Sequence, residues 1–118
     1  MSEEKKHIVF CYGTLKQGHG NHRLLTNAKF LGEAKTPAKY TMYSTGGFPA
    51  VVPEGDTVIS GEIYEVTEEE FARLDMLEGY PSMYTRKQIK LQDSDETPWI
   101  YLWQYETESY ARIEDGVW

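Results

Sequence analysis

HIVFCYGTL, the stretch from His7 to Leu15, is the part of the sequence from which the rest can be interpreted. Its apolar run Ile8–Cys11 favours β structure and is short enough to form one buried strand. The run stops at Tyr12-Gly13-Thr14, and two further glycines follow within KQGHGNHRLL. The pattern predicts a strand that leads into a glycine-containing loop.

The main-chain N–H groups of this loop, at Tyr12, Gly13, Thr14 and Leu15, form a candidate binding site. A strand that ends here leaves several of them without ladder partners, and Gly13 permits close approach of a ligand because it lacks Cβ. Concave sets of N–H groups bind anions and polarised carbonyls. The alternative is a simple turn after a core strand, and the loop by itself favours that alternative.

The motifs for nucleotide, metal and covalent chemistry are incomplete. Gly13–Gly18 has the spacing of a phosphate-binding loop, but His19 and Gly20 stand where its lysine and hydroxyl residue should follow. His19 and His22 could share a metal only with a third ligand, so no metal site and no cofactor is expected. Cys11, the only cysteine, lies in an apolar run, which favours a packed thiol over a nucleophile.

Length and charge narrow the class of protein. The 118 residues predict a single domain over 1–118, and a hydrophobic share of 40% is typical of a globular chain. The formal net charge of −7, with scattered basic residues, argues against a nucleic-acid partner. No apolar run approaches the roughly 20 residues of a membrane span, so no membrane partner is expected. The charged start MSEEKKH does not resemble a signal peptide, and together with the single cysteine it predicts a cytoplasmic location.

The order of the predicted elements favours an α+β fold. Strands are expected at 8–11, within 29–43 with a break at Pro37, and at 50–52, 58–66, 84–91 and 98–105. A polar turn is expected at Pro53–Asp56, and a short helix at 22–25. Because strands and helices do not alternate, a doubly wound parallel sheet is disfavoured. We predict a mainly antiparallel, curved or barrel-like sheet with one principal helix and a short second helix. The loop Thr45–Pro49 either covers a site or only connects strands.

Glu78 is the candidate acid–base residue. The principal helix is expected to begin with a capping box at Thr67 and to stop at Gly79. Phe71, Leu74 and Glu78 share one stripe, so Glu78 points inward if the other two face the core. Burial and the negative end of the helix dipole would then raise its pKa toward neutrality, as general acid–base catalysis requires. From the residues alone, a half-exposed glutamate at a frayed helix end is favoured instead.

Three nearby residues are weaker candidates. Asp75 also lies on the inner side of the helix, where pairing with Arg86 is favoured over a role as second acid. Tyr84 follows the helix closely, and packing against the sheet is as strongly favoured as a place in the site. Tyr105, at a strand end, is a weaker candidate still.

Two blocks of the sequence resemble the γ-glutamylcyclotransferase-like superfamily. VFCYGTLKQGHGNHRLL resembles its opening strand followed by Y-G-[TS]-L, and the continuation K-x-G-x-x-N-H-R-L-L is nearest to the γ-glutamylamine cyclotransferase branch. LDMLEGYP, from Leu74 to Pro81, and the following MYTR resemble the family's L-D-x-x-E-G segment and Y-x-R. The resemblance implies that Glu78 is the catalytic glutamate and that Tyr84 lies near the site.

The resemblance also implies a reaction. The α-amine of a γ-glutamyl amide would attack its own γ-carbonyl and release 5-oxo-L-proline and a free amine, a transferase by name and an amine lyase in outcome. The N–H groups of residues 12–15 would hold the glutamyl oxygens of this small-molecule substrate. Two alternatives stay open: a cyclotransferase for γ-glutamyl amino acids or glutathione, and a protein of the same fold that binds a small carboxylate without turnover. The sequence does not distinguish a monomer from a homodimer.

Overall fold

The strands are divided between two sheets. The computed structural model describes residues 6–13, 16, 25, 28–92 and 94–118. Along these residues the elements are β1 Lys6–Cys11, β2 Lys29–Lys35, β3 Tyr40–Ser44, β4 Pro49–Thr57, β5 Ser60–Thr67, α1 Glu68–Glu78, β6 Tyr84–Gln88, β7 Trp99–Trp103 and β8 Ala111–Ile113. One sheet has the order β2-β5-β1-β7-β6 and the other β4-β3-β8. The α+β, mainly antiparallel prediction is confirmed, and within the described residues the strands do not close into a barrel.

β1 lies in the middle of the five-stranded sheet. It pairs antiparallel with β5 and parallel with β7, and the other pairs of both sheets are antiparallel. Val9 and Cys11 pack in one hydrophobic cluster, and Phe10 and Tyr12 pack in the other. Successive side chains of a strand point to opposite faces, so the apolar run of β1 fills the core on both sides of the sheet.

The prediction that a turn at Pro53–Asp56 ends the strand is wrong. β4 continues through it to Thr57. Thr41 pairs with Val52 while its neighbour Tyr40 pairs with Thr57, so the four residues between them bulge out of the ladder. The four are exposed, because a bulge lets polar residues leave a strand without ending it.

The principal helix α1 has both of its predicted ends. The capping box forms at Thr67. At the other end Gly79 has φ 65°, the left-handed conformation that favours glycine, and its N–H donates to carbonyls of the last turn. Phe71 and Leu74 are buried, so the stripe that contains Glu78 faces the core as predicted.

Two other expectations concern helices. The short helix predicted at 22–25 lies outside the described residues except for Leu25, which is buried. In the part of the chain that the structure describes, no helix has the length and apolar character needed to cross a membrane.

Candidate active site

A cavity of about 320 Å³ lies where the end of β1 faces the end of α1. The structure brings four of the six predicted site residues to its wall: Tyr12, Gly13, Glu78 and Tyr84. Thr14 and Leu15 lie outside the described residues, so their place in the wall stays a prediction.

The loop that the sequence left unassigned forms another part of this wall. Gly47, Phe48 and Pro49 line the cavity from the side of the three-stranded sheet. Leu77 and Met83 line it from the side of α1, and both keep about 40% of their surface exposed. Sequence reasoning missed these residues because only the packing of the two sheets brings the loop to the helix end.

Glu78 is the one carboxyl group among the described residues of the cavity wall. The residue is half-buried, and burial raises the pKa of its carboxyl to about 7. Burial is one of the two causes that the sequence predicted, and the contribution of the helix dipole stays a prediction. A group with this pKa gives and takes a proton readily near neutral pH, which is the property that general acid–base catalysis requires.

Tyr84 is tied to the opposite sheet. Its Oη donates a hydrogen bond of 2.7 Å to the backbone carbonyl of Pro49, and its ring packs edge-on against Trp103. Burial, and then the nearby carboxyl of Glu78, raises the pKa of Tyr84 above its ordinary value, so the phenol stays neutral. Tyr84 therefore has a packing role in addition to its place in the cavity wall.

Tyr12 and Gly13 have different contacts. The Tyr12 Oη donates to the backbone carbonyl of Tyr101 at 2.5 Å, so its hydroxyl is already bonded across β1 and β7. The Gly13 carbonyl accepts a hydrogen bond of 3.0 Å from the N–H of Lys16. A Cβ on Gly13 would lie 2.7 Å from Cγ of Pro49. The missing side chain thus permits close packing of the loop against Pro49, a reason for glycine that the sequence did not show.

The predicted pairing of Asp75 with Arg86 is confirmed. The guanidinium donates through Nε to Oδ1 at 2.9 Å and through Nη2 to Oδ2 at 3.1 Å. Tyr101, a residue of the cavity wall, donates through Oη to the same Oδ1 at 2.6 Å. Tyr105 packs against Trp103, is 56% exposed, and does not line the cavity.

The structure describes the candidate thiol of Cys11 but not the candidate metal ligands His19 and His22. Cys11 lines the cavity but is buried, and burial together with Glu78 raises the pKa of its thiol, so the nucleophilic thiolate is disfavoured. His19 and His22 lie outside the described residues. Among the residues that are described, no group of three side chains is arranged to bind a metal ion.

Several known proteins are similar to this chain over most of its length. The family model described as "Gamma-glutamyl cyclotransferase, AIG2-like" matches residues 9–118. The Gamma-glutamylcyclotransferase family protein YtfP of Escherichia coli K12 is 34% identical over 110 residues, covering 93% of this chain and 94% of that protein. An AIG2-like protein from Mus musculus superposes with a TM-score of 0.79 at 27% identity, covering 93% of this chain and 87% of the other. Protein PH0828 from Pyrococcus horikoshii superposes with a TM-score of 0.80 at 28% identity, covering 94% and 88%.

Proposed function

The chain belongs to the AIG2-like γ-glutamyl cyclotransferase family, and from that premise we propose that it is a γ-glutamylamine cyclotransferase. The substrate is a γ-glutamyl amide with a free α-amine. The α-nitrogen attacks the γ-carbonyl carbon, a five-membered ring closes, and the bond from that carbon to the amide nitrogen breaks. The products are 5-oxo-L-proline and the free amine. Because the nucleophile is tethered to its electrophile, the protein has only to hold the chain folded and to move protons.

The observation that carries this proposal is the carboxyl of Glu78 in the cavity wall, with a pKa of about 7. In our proposal Glu78 first removes a proton from the α-ammonium, which frees the nitrogen lone pair for attack, and the extra proton that the ring nitrogen then carries is released to solvent. In a second transfer Glu78 returns its proton to the leaving nitrogen. Without that second transfer the leaving group would be an amide anion, which is a very poor leaving group. A single residue with an intermediate pKa can serve both steps.

The loop after β1 is proposed to hold the glutamyl part of the substrate. Backbone N–H groups from Tyr12 to Leu15 would bind its oxygens and stabilise the negative charge that develops on the attacked carbonyl. Tyr84 is proposed to bind the substrate by its ring and by its hydroxyl oxygen, which can still accept a bond from the α-ammonium while donating to Pro49. No metal or cofactor takes part in these steps.

The outer wall of the cavity supports an amine rather than an amino acid as the leaving group. Phe48, Leu77 and Met83 provide apolar surface there, and no described residue of the wall carries a positive charge. A leaving amino acid would bring its carboxylate into this apolar surface near Glu78. A hydrocarbon amine would instead bury apolar area, at about 25 cal/mol per Å². The proposed partner is thus a small molecule, and the single cysteine supports the cytoplasm as the place where it acts.

The test is product formation from three substrates. The protein is incubated with a γ-glutamyl alkylamine, a γ-glutamyl amino acid and glutathione, and 5-oxoproline is measured. We expect turnover of the alkylamine, and a loss of about 10²- to 10⁴-fold in kcat with little change in KM for Glu78→Gln. Glu69→Gln, on the exposed side of the same helix, is the matched control and should keep parent activity.

Each other outcome has a definite meaning. Turnover of glutathione or the amino acid derivative alone would assign the other branch of the family. Binding of 5-oxoproline with no turnover of any substrate would leave a carboxylate-binding protein. Parent-like activity in Glu78→Gln would exclude Glu78 as the base.

A further inference from the structure

Arg86 lies in an aromatic cage beside the candidate site. The centre of its guanidinium is 4.3 Å from the ring centroid of Phe71, 4.3 Å from that of Tyr80 and 4.6 Å from that of Trp99. Its ion pair with Asp75 is largely withdrawn from water, with side-chain exposures of 18% for Arg86 and 21% for Asp75. Two partners with fixed, bidentate geometry in a poorly hydrated setting form a strong pair, and removing either leaves an uncompensated charge.

The pair lies next to Glu78 along the helix. Asp75 precedes Glu78 by three residues on α1, so the two side chains project from neighbouring turns of one face. Tyr101 connects the pair to the cavity, because its Oη donates to Asp75 while its ring lines the wall. Any net charge on the pair would therefore act on Glu78.

Asp75 and Arg86 have opposite effects on the pKa of Tyr101, which lines the cavity. Burial is the largest cause that raises the pKa of Tyr101; Asp75 and Glu78 raise it further, and Arg86 lowers it. For Glu78 itself, burial is the cause of the raised pKa, although a second carboxylate lies one turn away. Because Asp75 is paired with Arg86 through two hydrogen bonds, the carboxylate one turn from Glu78 belongs to a neutral ion pair.

Among the described residues, the other groups that face Glu78 are neutral. Those whose pKa is influenced by its charge are Cys11 at the end of β1, Tyr12 directly after it, Tyr84 from β6 and Tyr101 from β7. All four have pKa values raised above the ordinary range, so they stay protonated at neutral pH. The loop before β4 contributes Gly47 and Phe48, and the first residue of β4 is Pro49; none of the three titrates. Glu62, on β5, acts on Cys11.

We propose that Arg86 is a positioning residue for Glu78. By pairing with Asp75 inside the aromatic cage, Arg86 holds the last turn of α1 against β6 and β7. The acid–base carboxyl then lies next to a neutral ion pair instead of a second carboxylate. Its catalytic consequence rests on the proposed function. The proposed effect of the ion pair on the proton affinity of Glu78 does not rest on that function, because this affinity can be measured even if the protein turns over no substrate.

The test follows the ionisation of Glu78 directly. Protein labelled with ¹³C at the glutamate side-chain carboxyl is titrated by NMR, and the Glu78 signal is assigned by its loss in Glu78→Gln. Asp75→Asn leaves Arg86 uncompensated and should lower the midpoint by about one pH unit, whereas Arg86→Gln leaves Asp75 uncompensated and should raise it by about as much. The double variant Asp75→Asn/Arg86→Gln should titrate close to the parent.

Two further variants separate charge from packing. Arg86→Lys keeps the charge but loses the bidentate fork, so its midpoint should stay near the parent value while its thermal stability falls. Asp56 lies on β4, seven residues after Pro49, and forms an exposed ion pair with Arg112. Asp56→Asn removes an equal charge at that distance and should not move the titration midpoint of Glu78. If Arg86→Gln does not fold, the comparison of Asp75→Asn with the double variant still gives the sign.

The proposal is overturned if the two single variants shift the midpoint in the same direction or leave it unchanged. When a substrate is turned over, the acid limb of the pH profile of kcat/KM should move with the NMR midpoint. Opposite shifts without any turnover would remove the proposed function and leave this inference standing. Turnover of substrate without shifts of the Glu78 midpoint would support the proposed function and overturn this inference.

Discussion

The properties of Glu78 come from its surroundings rather than from its chemistry alone. The same side chain ten residues earlier, at Glu68, is exposed at the start of α1, whereas Glu78 is half-buried in the cavity wall. Burial disfavours the carboxylate because the protein solvates charge less well than water does. In the role that we propose, the group must ionise to act as a base, so its raised pKa of about 7 has a consequence for stability as well as for activity.

The raised pKa of Glu78 should make the stability of the protein depend on pH. Glu78 binds its proton more tightly in the folded than in the unfolded state, so rising pH between 4.5 and about 7 lowers the free energy of unfolding. The loss amounts to at most about 3 kcal/mol and is complete above the folded pKa. Glu78→Gln removes the effect. Its stability advantage over the parent should therefore be near zero at about pH 4 and largest at about pH 8, as measured by urea denaturation. An advantage of equal size at both values would contradict the assigned ionisation.

Gly13 offers a second prediction at the same scale. An added Cβ would press on the ring of Pro49 at 2.7 Å, so Gly13→Ala must move either the loop or the wall of the cavity. We expect a loss of roughly 1–3 kcal/mol in the free energy of unfolding and weaker binding of 5-oxo-L-proline. Gly47→Ala is the matched control, because Gly47 also lines the cavity but nothing lies within 4 Å of its Cβ position. Equal stability losses in the two variants would show that the Pro49 contact is not the reason for glycine at position 13.

Among the elements, the helix was the most predictable and the loop before β4 the least. The capping box at Thr67 and the stop at Gly79 depend on residues close in sequence, and so does the apolar run of β1. The contacts of Pro49 with Tyr84 and Gly13 join residues 35 or more positions apart, and no local pattern announces them. The inward direction of Glu78 could be predicted from helical spacing, but its cavity required the packing of β4 against β7, which only tertiary structure supplies.

The two ends of α1 give a prediction at this scale. Thr67→Ala removes the N-cap and should lower the free energy of unfolding by about 1 kcal/mol. Gly79→Ala puts a side chain at φ 65° with its Cβ 3.0 Å from that of Met83, and should cost about the same or more. Their effects on kcat should differ. Thr67 lies at the far end of the helix, so its loss should leave turnover per folded molecule unchanged, whereas Gly79 adjoins Glu78 and its substitution should lower kcat. Calorimetry and steady-state kinetics on both variants test this, and an equal effect on kcat would contradict it.

In the whole molecule, the cavity lies between the two sheets. β6 and β7 belong to the five-stranded sheet, and β4 belongs to the three-stranded sheet. The hydrogen bond from Tyr84 to Pro49 and the contact between Phe48 and Trp103, with ring centroids 5.9 Å apart, both cross from one sheet to the other beside the cavity. Binding at this position should therefore stabilise the packing of the sheets, and a change in that packing should weaken binding.

Tyr84→Phe tests this coupling with the removal of one oxygen atom. The buried carbonyl of Pro49 loses the hydrogen bond from Tyr84, which should lower the free energy of unfolding by about 1–3 kcal/mol. In the parent, 5-oxo-L-proline at about 100 times its Kd should add about 2.7 kcal/mol of stability, seen as a rise in Tm. If the hydroxyl holds the wall in its binding shape, the rise at the same concentration should be smaller in Tyr84→Phe. Tyr105→Phe removes a hydroxyl from an exposed ring of the same aromatic cluster and should change neither value. A full ligand-induced rise in a destabilised Tyr84→Phe would show that the sheets can loosen without affecting the cavity, and the link between packing and binding would have to be given up.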